Sequence, residues 1–328
     1  MSEKSGWAVE RIDVPIEPGA VDVLLDPWRD GRAVSAAVFL RGGLMNRNYR
    51  VRVGNDDVVL RFYDRDWRAC AKEAMLLRAL RGVVPVPEML YAVPEASPVA
   101  FAVMEYVDGI SLRTLKEAGD ADALSDVARE MGHHVATFSR ASGVDDTLLA
   151  VHSIDAELLR GPNATARLID HFLASHTVQQ RLGVESARRV SDFAWRQGPL
   201  FTAHAGPSGL AHGDLNSANV LVRRHAGRWS VAAILDWEFA FAGSIFHDVG
   251  NFLRYERPTR PRFEPAFSQG LRESGATLPE EWLTIARLAD LPALCDLLTR
   301  SSMPPDVVAE IRGLIEATID MQYQPLEK

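Results

Sequence analysis

The second half of this 328-residue chain has a helical pattern except for one stretch, and that stretch constrains the fold most. AHGDLNSANVLV (211–222) runs into the turn-like RRHAGRWS and then into VAAILDWEF (231–239). Two short apolar runs rich in β-branched residues, separated by a Gly-containing turn, predict a β-hairpin with NVLV and VAAIL as its strands. A polar loop containing Asp214, Asn216 and Asn219 feeds the first strand, and Asp236 closes the second.

The first third also has strand character. AVFL (37–40), NYRVRV (48–53) and VVLRFY (58–63) are set off by Gly42–Gly43 and by the polar turn GNDD. DWRACAKEAMLLRAL (66–80) then predicts a helix capped by Asp66, with Trp67, Cys70, Ala74, Leu77 and Leu80 on one broad face. Glu73 falls on that apolar side, where a carboxylate needs a partner, and Arg61 of the preceding strand is the first candidate. AFAVMEYVDG (100–109) predicts a further strand whose end at Asp108–Gly109 suits a lobe boundary, dividing the chain into 1–108 and 109–328. Beyond it, 122–138, 153–174 and 280–320 read largely as helices. The segment holding Pro18 and Pro27 is assigned no element.

Apolar residues at 47% and charged residues at 24% suit a folded globular chain rather than a disordered one. A net charge of −8 disfavours a nucleic-acid partner recognised through its phosphates. MSEKSGWAVERIDV lacks the apolar core of a secretory signal, and Arg, Asp or Glu interrupts every later apolar run. The expectation is therefore a cytoplasmic protein with no membrane partner. Cys70 and Cys295 are too few for a disulfide framework and read as core thiols.

If the hairpin folds back beside its loop, Asn219 and Asp236 converge on one divalent ion while Asp214 faces an incoming hydroxyl. Magnesium fits this donor set, because it is small, prefers oxygen and keeps water and phosphate in its shell. Acceptor alignment, metal placement and charge stabilisation are the needs of phosphoryl transfer, with Asp214 as the proton acceptor. Taken one at a time, the three residues also fit a cap, a turn and a strand end. His212 reads as an organiser of the loop rather than as the base.

HGDLNSANVLV and ILDWEFAFAG resemble the aminoglycoside-phosphotransferase and choline-kinase-like superfamily, which shares a two-lobed fold with protein kinases. The resemblance implies an α+β protein with a β-rich N-terminal lobe and a mainly helical C-terminal lobe. It also implies Asp214 as catalytic base, Asn219 and Asp236 as Mg2+ ligands, and ATP, with GTP as an alternative, as donor to a hydroxyl-bearing small molecule. In such kinases a Gly-containing turn covers the nucleotide phosphates, which points to Gly42, Gly43 and Asn46. The strand AFAVMEYVDG would lie behind the base, with backbone groups at Glu105 and Val107 reading its edge. The family's usual Lys on the third strand is replaced here by Arg61, a planar group expected near phosphate and Glu73. The frequent Gly-Asp-Pro segment is replaced by Gly-Ser-Ile at 243–245. Asp248 resembles a supporting aspartate, His247 is expected to be structural or surface-facing, and Glu238 stays open between approaching substrate and a buried supporting or solvent-facing role.

A protein kinase is disfavoured, since ILDWE stands where DFG would and no APE anchor follows. A catalytically silent nucleotide-binding scaffold is kept alive by Arg61 but has no need of Asp214, Asn219 and Asp236 together. Acceptors remain open between aminoglycosides or other antibiotics and metabolic or biosynthetic sugars, amino alcohols and nucleosides. From Gly109 onward acidic residues outnumber Lys plus Arg, which favours a cationic acceptor.

Overall fold

The structure is a computed structural model that describes residues 16–40, 46–96, 98–141, 158, 161–206, 208–256 and 261–320. Pro18 and Pro27, unassigned from sequence, each stand in the first turn of a short helix, α1 (Pro18–Leu24) and α2 (Asp26–Arg29). Their fixed φ suits that position and their missing N–H costs nothing there. The chain then forms β1 (Val34–Leu40), β2 (Arg47–Val53), β3 (Asp56–Tyr63), α3 (Trp67–Leu80), β4 (Met89–Val93) and β5 (Ala100–Glu105). The five strands make an antiparallel sheet in the order β1-β2-β3-β5-β4.

Alternation along these strands sorts the sheet's two faces. Tyr49, Val51, Val58, Leu60, Phe62, Phe101 and Val103 are buried in one cluster that Val21 and Leu25 cover. Arg61 and Tyr63 point the other way, toward α3, whose Cys70, Ala74, Leu77 and Leu80 are buried. Trp67, expected on that buried face, is instead 54% exposed, because it is the first residue of α3 and overhangs its end beside Arg68. Asp66 caps the helix as expected, accepting from the Arg68 N–H at 3.0 Å.

Past the sheet, a methyl group on Gly109 would meet the Val222 carbonyl at 2.7 Å, so the connecting chain needs a glycine to pass this close. There follow β6 (Ile110–Ser111), α4 (Leu112–Ala118), α5 (Ala121–Phe138), α6 (Ala164–Leu173), α7 (His176–Leu182), α8 (Val184–His204) and β7 (Gly209–Ala211). The expected hairpin is present as β8 (Val220–His225) and β9 (Arg228–Ile234), joined through Ala226 and Gly227, both at positive φ. The chain continues through β10 (Phe241–Gly243), α9 (Ile245–Phe252), α10 (Glu264–Glu273), α11 (Trp282–Leu297) and α12 (Pro305–Ile319). β6 completes a three-stranded sheet with the hairpin, and β7 pairs with β10. The result is an α+β protein of two lobes, with the hairpin loops between the sheet and the helices. No described helix is long and apolar enough to cross a membrane.

One close helix crossing in the second lobe depends on two glycines. Gly132 of α5 and Gly270 of α10 let their helices meet backbone to backbone. Replacing Gly132 by Ala would bring a methyl to 2.2 Å from the Phe267 carbonyl oxygen and 2.8 Å from the Leu271 nitrogen. Overpacking of this kind costs about 1–3 kcal/mol. Gly313→Ala, on α12 with nothing within 4 Å, is the control. Equilibrium denaturation is expected to show a loss only for Gly132→Ala; equal stabilities of the two variants would contradict the close crossing.

Candidate active site

The loop between β7 and β8 is held from below by one buried carboxylate. Asp248, fully buried on α9, accepts the His212 N–H at 2.7 Å and the Gly213 N–H at 3.0 Å. Burial pushes its carboxyl pKa up, against the pull of His212 and those two N–H donors. His212 is also buried. Its Nε2 donates to the Leu235 carbonyl at 2.8 Å, and its Nδ1 accepts the Asp214 N–H at 3.2 Å. Those partners set the tautomer and leave neither ring nitrogen for proton transfer, in line with an organising role. Gly213 has φ +81°, and a Cβ there would fall 2.5 Å from the Phe239 carbonyl oxygen.

The Asp214 carboxylate is oriented by two carboxamides. Asn216 Nδ2 donates to Oδ1 at 3.0 Å, and Asn219 Nδ2 donates to Oδ2 at 3.1 Å and to the Asp214 carbonyl at 2.9 Å. Asn216 was given no role from the sequence. Its signal was a second carboxamide two residues after Asp214, a spacing at which Asn turns back on the chain. The Leu235 N–H donates to the Asn219 carbonyl at 2.8 Å, so the hairpin brings Asp236 next to Asn219.

Asp236 adopts the left-handed region at φ 65°, which Asp tolerates better than most residues, and the turn Trp237–Phe239 follows it. Two contacts from the sheet side fix this bend. Glu73 Oε1 of α3 accepts the Trp237 N–H at 3.1 Å, and Arg61 Nη1 pairs with Asp236 Oδ1. Trp237 is fully buried, edge-on to Phe138 at 5.1 Å between ring centres and 4.6 Å from His212.

Arg61, 5% exposed, is ringed by carboxylates. Its Nε lies 3.3 Å from Glu73, its Nη2 3.0 Å from Glu238, and its Nη1 against Asp236. Burial disfavours the charge, yet Asp236, Glu73 and Glu238 outweigh it and hold the guanidinium protonated well above its ordinary range. The Tyr63 hydroxyl donates to Glu73 at 2.5 Å, so the expected Arg61–Glu73 pairing is part of a larger set. Glu238 is buried, and both its oxygens accept Asn46 Nδ2, at 2.9 and 3.0 Å. Burial, opposed by Arg61 and reinforced by Asp236 and Glu73, pushes the Glu238 carboxyl up to about 7.

Two networks therefore abut: Asn46, Arg61, Glu73, Asp236 and Glu238 in one, Asp214, Asn216 and Asn219 in the other. Glu105 and Val107 belong to neither. The Glu105 N–H and carboxylate are engaged with the backbone of Glu88 at 2.9 and 3.1 Å. Gly42 and Gly43 lie outside the described residues. His247 is half-buried, packed between Phe201 and Phe241. Cys70 and Cys295 are core thiols, pushed up by burial to about 12.

The donor set fits magnesium. Asn219 commits its amide nitrogen to Asp214, which leaves its carboxamide oxygen as the donor for a cation, and Asp236 adds a carboxylate whose side chain keeps 29% exposure. A carboxamide oxygen and a carboxylate make an all-oxygen donor set of the kind this ion prefers.

The profile of the phosphotransferase enzyme family (APH) matches residues 36–283. Acyl-CoA dehydrogenase family member 10 of Mus musculus is 26% identical over 228 residues, which is 66% of this chain and 20% of that protein. The chain thus spans about a fifth of that relative's length. Among solved structures, the GDP and kanamycin complex of APH(2")-IIia matches with a TM-score of 0.68 at 18% identity, over 93% of this chain and 99% of that one. The macrolide 2'-phosphotransferase MphH of Brachybacterium faecium matches with a TM-score of 0.59 at 20% identity, over 96% of this chain and 100% of that one. At such identities the likeness is one of fold, and the fold is protein-kinase-like.

Asp248→Ala would strand the buried N–H groups of His212 and Gly213, each worth about 1–3 kcal/mol when left unsatisfied. Chemical denaturation is expected to show a loss of at least about 2 kcal/mol for Asp248→Ala and a smaller one for Asp248→Asn, which keeps one acceptor. Parent-like stability of Asp248→Ala would remove this anchor from the account.

Proposed function

The chain belongs to the phosphotransferase enzyme family, and we propose that it transfers the γ-phosphoryl group of ATP, or of GTP, to a hydroxyl of a small molecule in a magnesium-dependent reaction. The observation that carries this reading is the pair of carboxamides on Asp214, one of which, Asn219, is also placed beside Asp236. Such an arrangement aims one carboxylate at an acceptor and presents oxygens to a cation a few residues away.

In this reading Asp214 is the catalytic base. Asn216 and Asn219 hold its carboxylate, so that it is already oriented when a hydroxyl arrives, and Asp214 takes up the proton as the oxygen attacks phosphorus. Asn219 and Asp236 hold magnesium, which when bound supplies positive charge to the triphosphate oxygens. Arg61 lies on the phosphate side, with Glu73 and Tyr63 fixing its direction. Asn46 belongs to the same side, and backbone groups near Glu105 and Val107 face the base. The lobes divide at 108/109, and helices of the second lobe form the acceptor site. Candidate acceptors are aminoglycosides and other antibiotics, as named for the neighbouring structures, and sugars, amino alcohols or nucleosides.

The test is to incubate the purified chain with ATP or GTP, magnesium and a broad acceptor panel, and to look by mass spectrometry for acceptors heavier by one phosphoryl group. Asp214→Asn, nearly unchanged in size, is expected to bind nucleotide while losing about 100-fold or more in acceptor phosphorylation. Near-parent product formation by folded Asp214→Asn would remove Asp214 from the mechanism. Nucleotide binding without any phosphorylated product would favour the scaffold reading.

A further inference from the structure

We propose that Glu238 is a positioning residue of the nucleotide site, one that fixes the directions in which Arg61 and Asn46 present their polar groups; this rests on the phosphoryl-transfer reading above. Its two oxygens are turned to Asn46 Nδ2, at 2.9 and 3.0 Å, and Oε1 also accepts from Arg61 Nη2 at 3.0 Å. Because the carboxylate is spent on these donors, Glu238 acts through them rather than on a substrate.

The partners are 192 and 177 residues away in sequence. Asn46 leads into β2, Arg61 stands on β3, and Glu238 belongs to the turn that follows Asp236. One carboxylate thereby ties two strands of the sheet to the turn carrying a proposed metal ligand.

Electrostatics argue against a packing role. Glu238 is 9% exposed and shares Arg61 with Glu73 and Asp236, so three carboxylates face one guanidinium. An acid there carries a cost of burial and of like-charge repulsion that a neutral side chain of equal size would not. What the acid supplies instead is two strong acceptor oxygens for two donors, one just before β2 and one on β3. The guanidinium suits the arrangement, since its separate nitrogens reach Glu73, Asp236 and Glu238 at once. An ammonium group at position 61 would be a point charge unable to span the same three. Arg61 in place of the resembled family's lysine and the acid at 238 are thus two parts of one device.

The test compares the parent with Glu238→Gln, Glu238→Asp and Asn46→Ala, measuring ATP affinity without acceptor, KM for ATP and for acceptor, and melting temperature. Glu238→Gln is expected to weaken ATP binding and raise its KM by about tenfold, the scale of one lost charge-assisted hydrogen bond. The acceptor KM and the melting temperature are expected to stay near the parent's, and Glu238→Asp to recover part of the ATP affinity. Glu238→Gln added to Asn46→Ala is expected to cost less than it does alone, because the two share one contact. Parent-like ATP affinity in Glu238→Gln overturns the inference, as does an equal rise of both KM values with a lowered melting temperature, the signature of general loosening. If the parent transfers phosphoryl groups while Glu238→Gln is unchanged, only this inference falls. If the parent binds no nucleotide, the functional reading falls with it.

Discussion

Arg61 is a cation taken almost wholly out of water, and the site is arranged around keeping it there. A buried guanidinium is tolerable only when ionised partners and hydrogen bonds replace its hydration, and Glu73, Asp236 and Glu238 do so from two separate parts of the chain. Glu73 comes from α3, which packs on the sheet through Cys70, Ala74 and Leu77. Asp236 and Glu238 come from the turn after β9. The same carboxylates that neutralise Arg61 therefore join sheet, helix and hairpin, and removing any one changes the charge felt by the rest.

The second network depends on the first through the backbone. Glu73 and Arg61 hold the bend at Asp236 and Trp237, while Leu235, the residue before it, bonds to Asn219 and to His212. Asp248 then fixes His212 and Gly213 from beneath. By the time the chain reaches Asp214, both neighbours of its carboxylate are determined, and the orientation of that carboxylate, the proposed base, is built into the fold. The geometry of the loop is thus set by burial at α9 and by ion pairing at the sheet.

Much of this was legible because it is local. The hairpin shows in two apolar β-branched runs about a turn, and the Asp214, Asn219 and Asp236 positions follow from its loop and end. Even the pairing of Arg61 with Glu73 could be read, since an acid on the apolar face of α3 demands a cation nearby. The link between Glu238 and Asn46 could not. Neither residue lies in a periodic pattern that betrays it, and the contact spans 192 residues of sequence. Trp67 misled for the opposite reason. Helical spacing places it on the buried face, but at the first position of α3 no described element covers it. The proline helices before β1 were missed because four to seven residues are too few for a hydrophobic period to show.

Convergence of the two networks on one ion is tested most directly by a magnesium titration of turnover in the parent, Asn219→Ala, Asp236→Asn and the double variant, each shown to be folded. Ligands of one ion are coupled, so each single variant should shift the magnesium dependence and lower turnover, and the double variant should lose less free energy than the sum of the two. Parent-like turnover and magnesium dependence in both single variants would contradict the account.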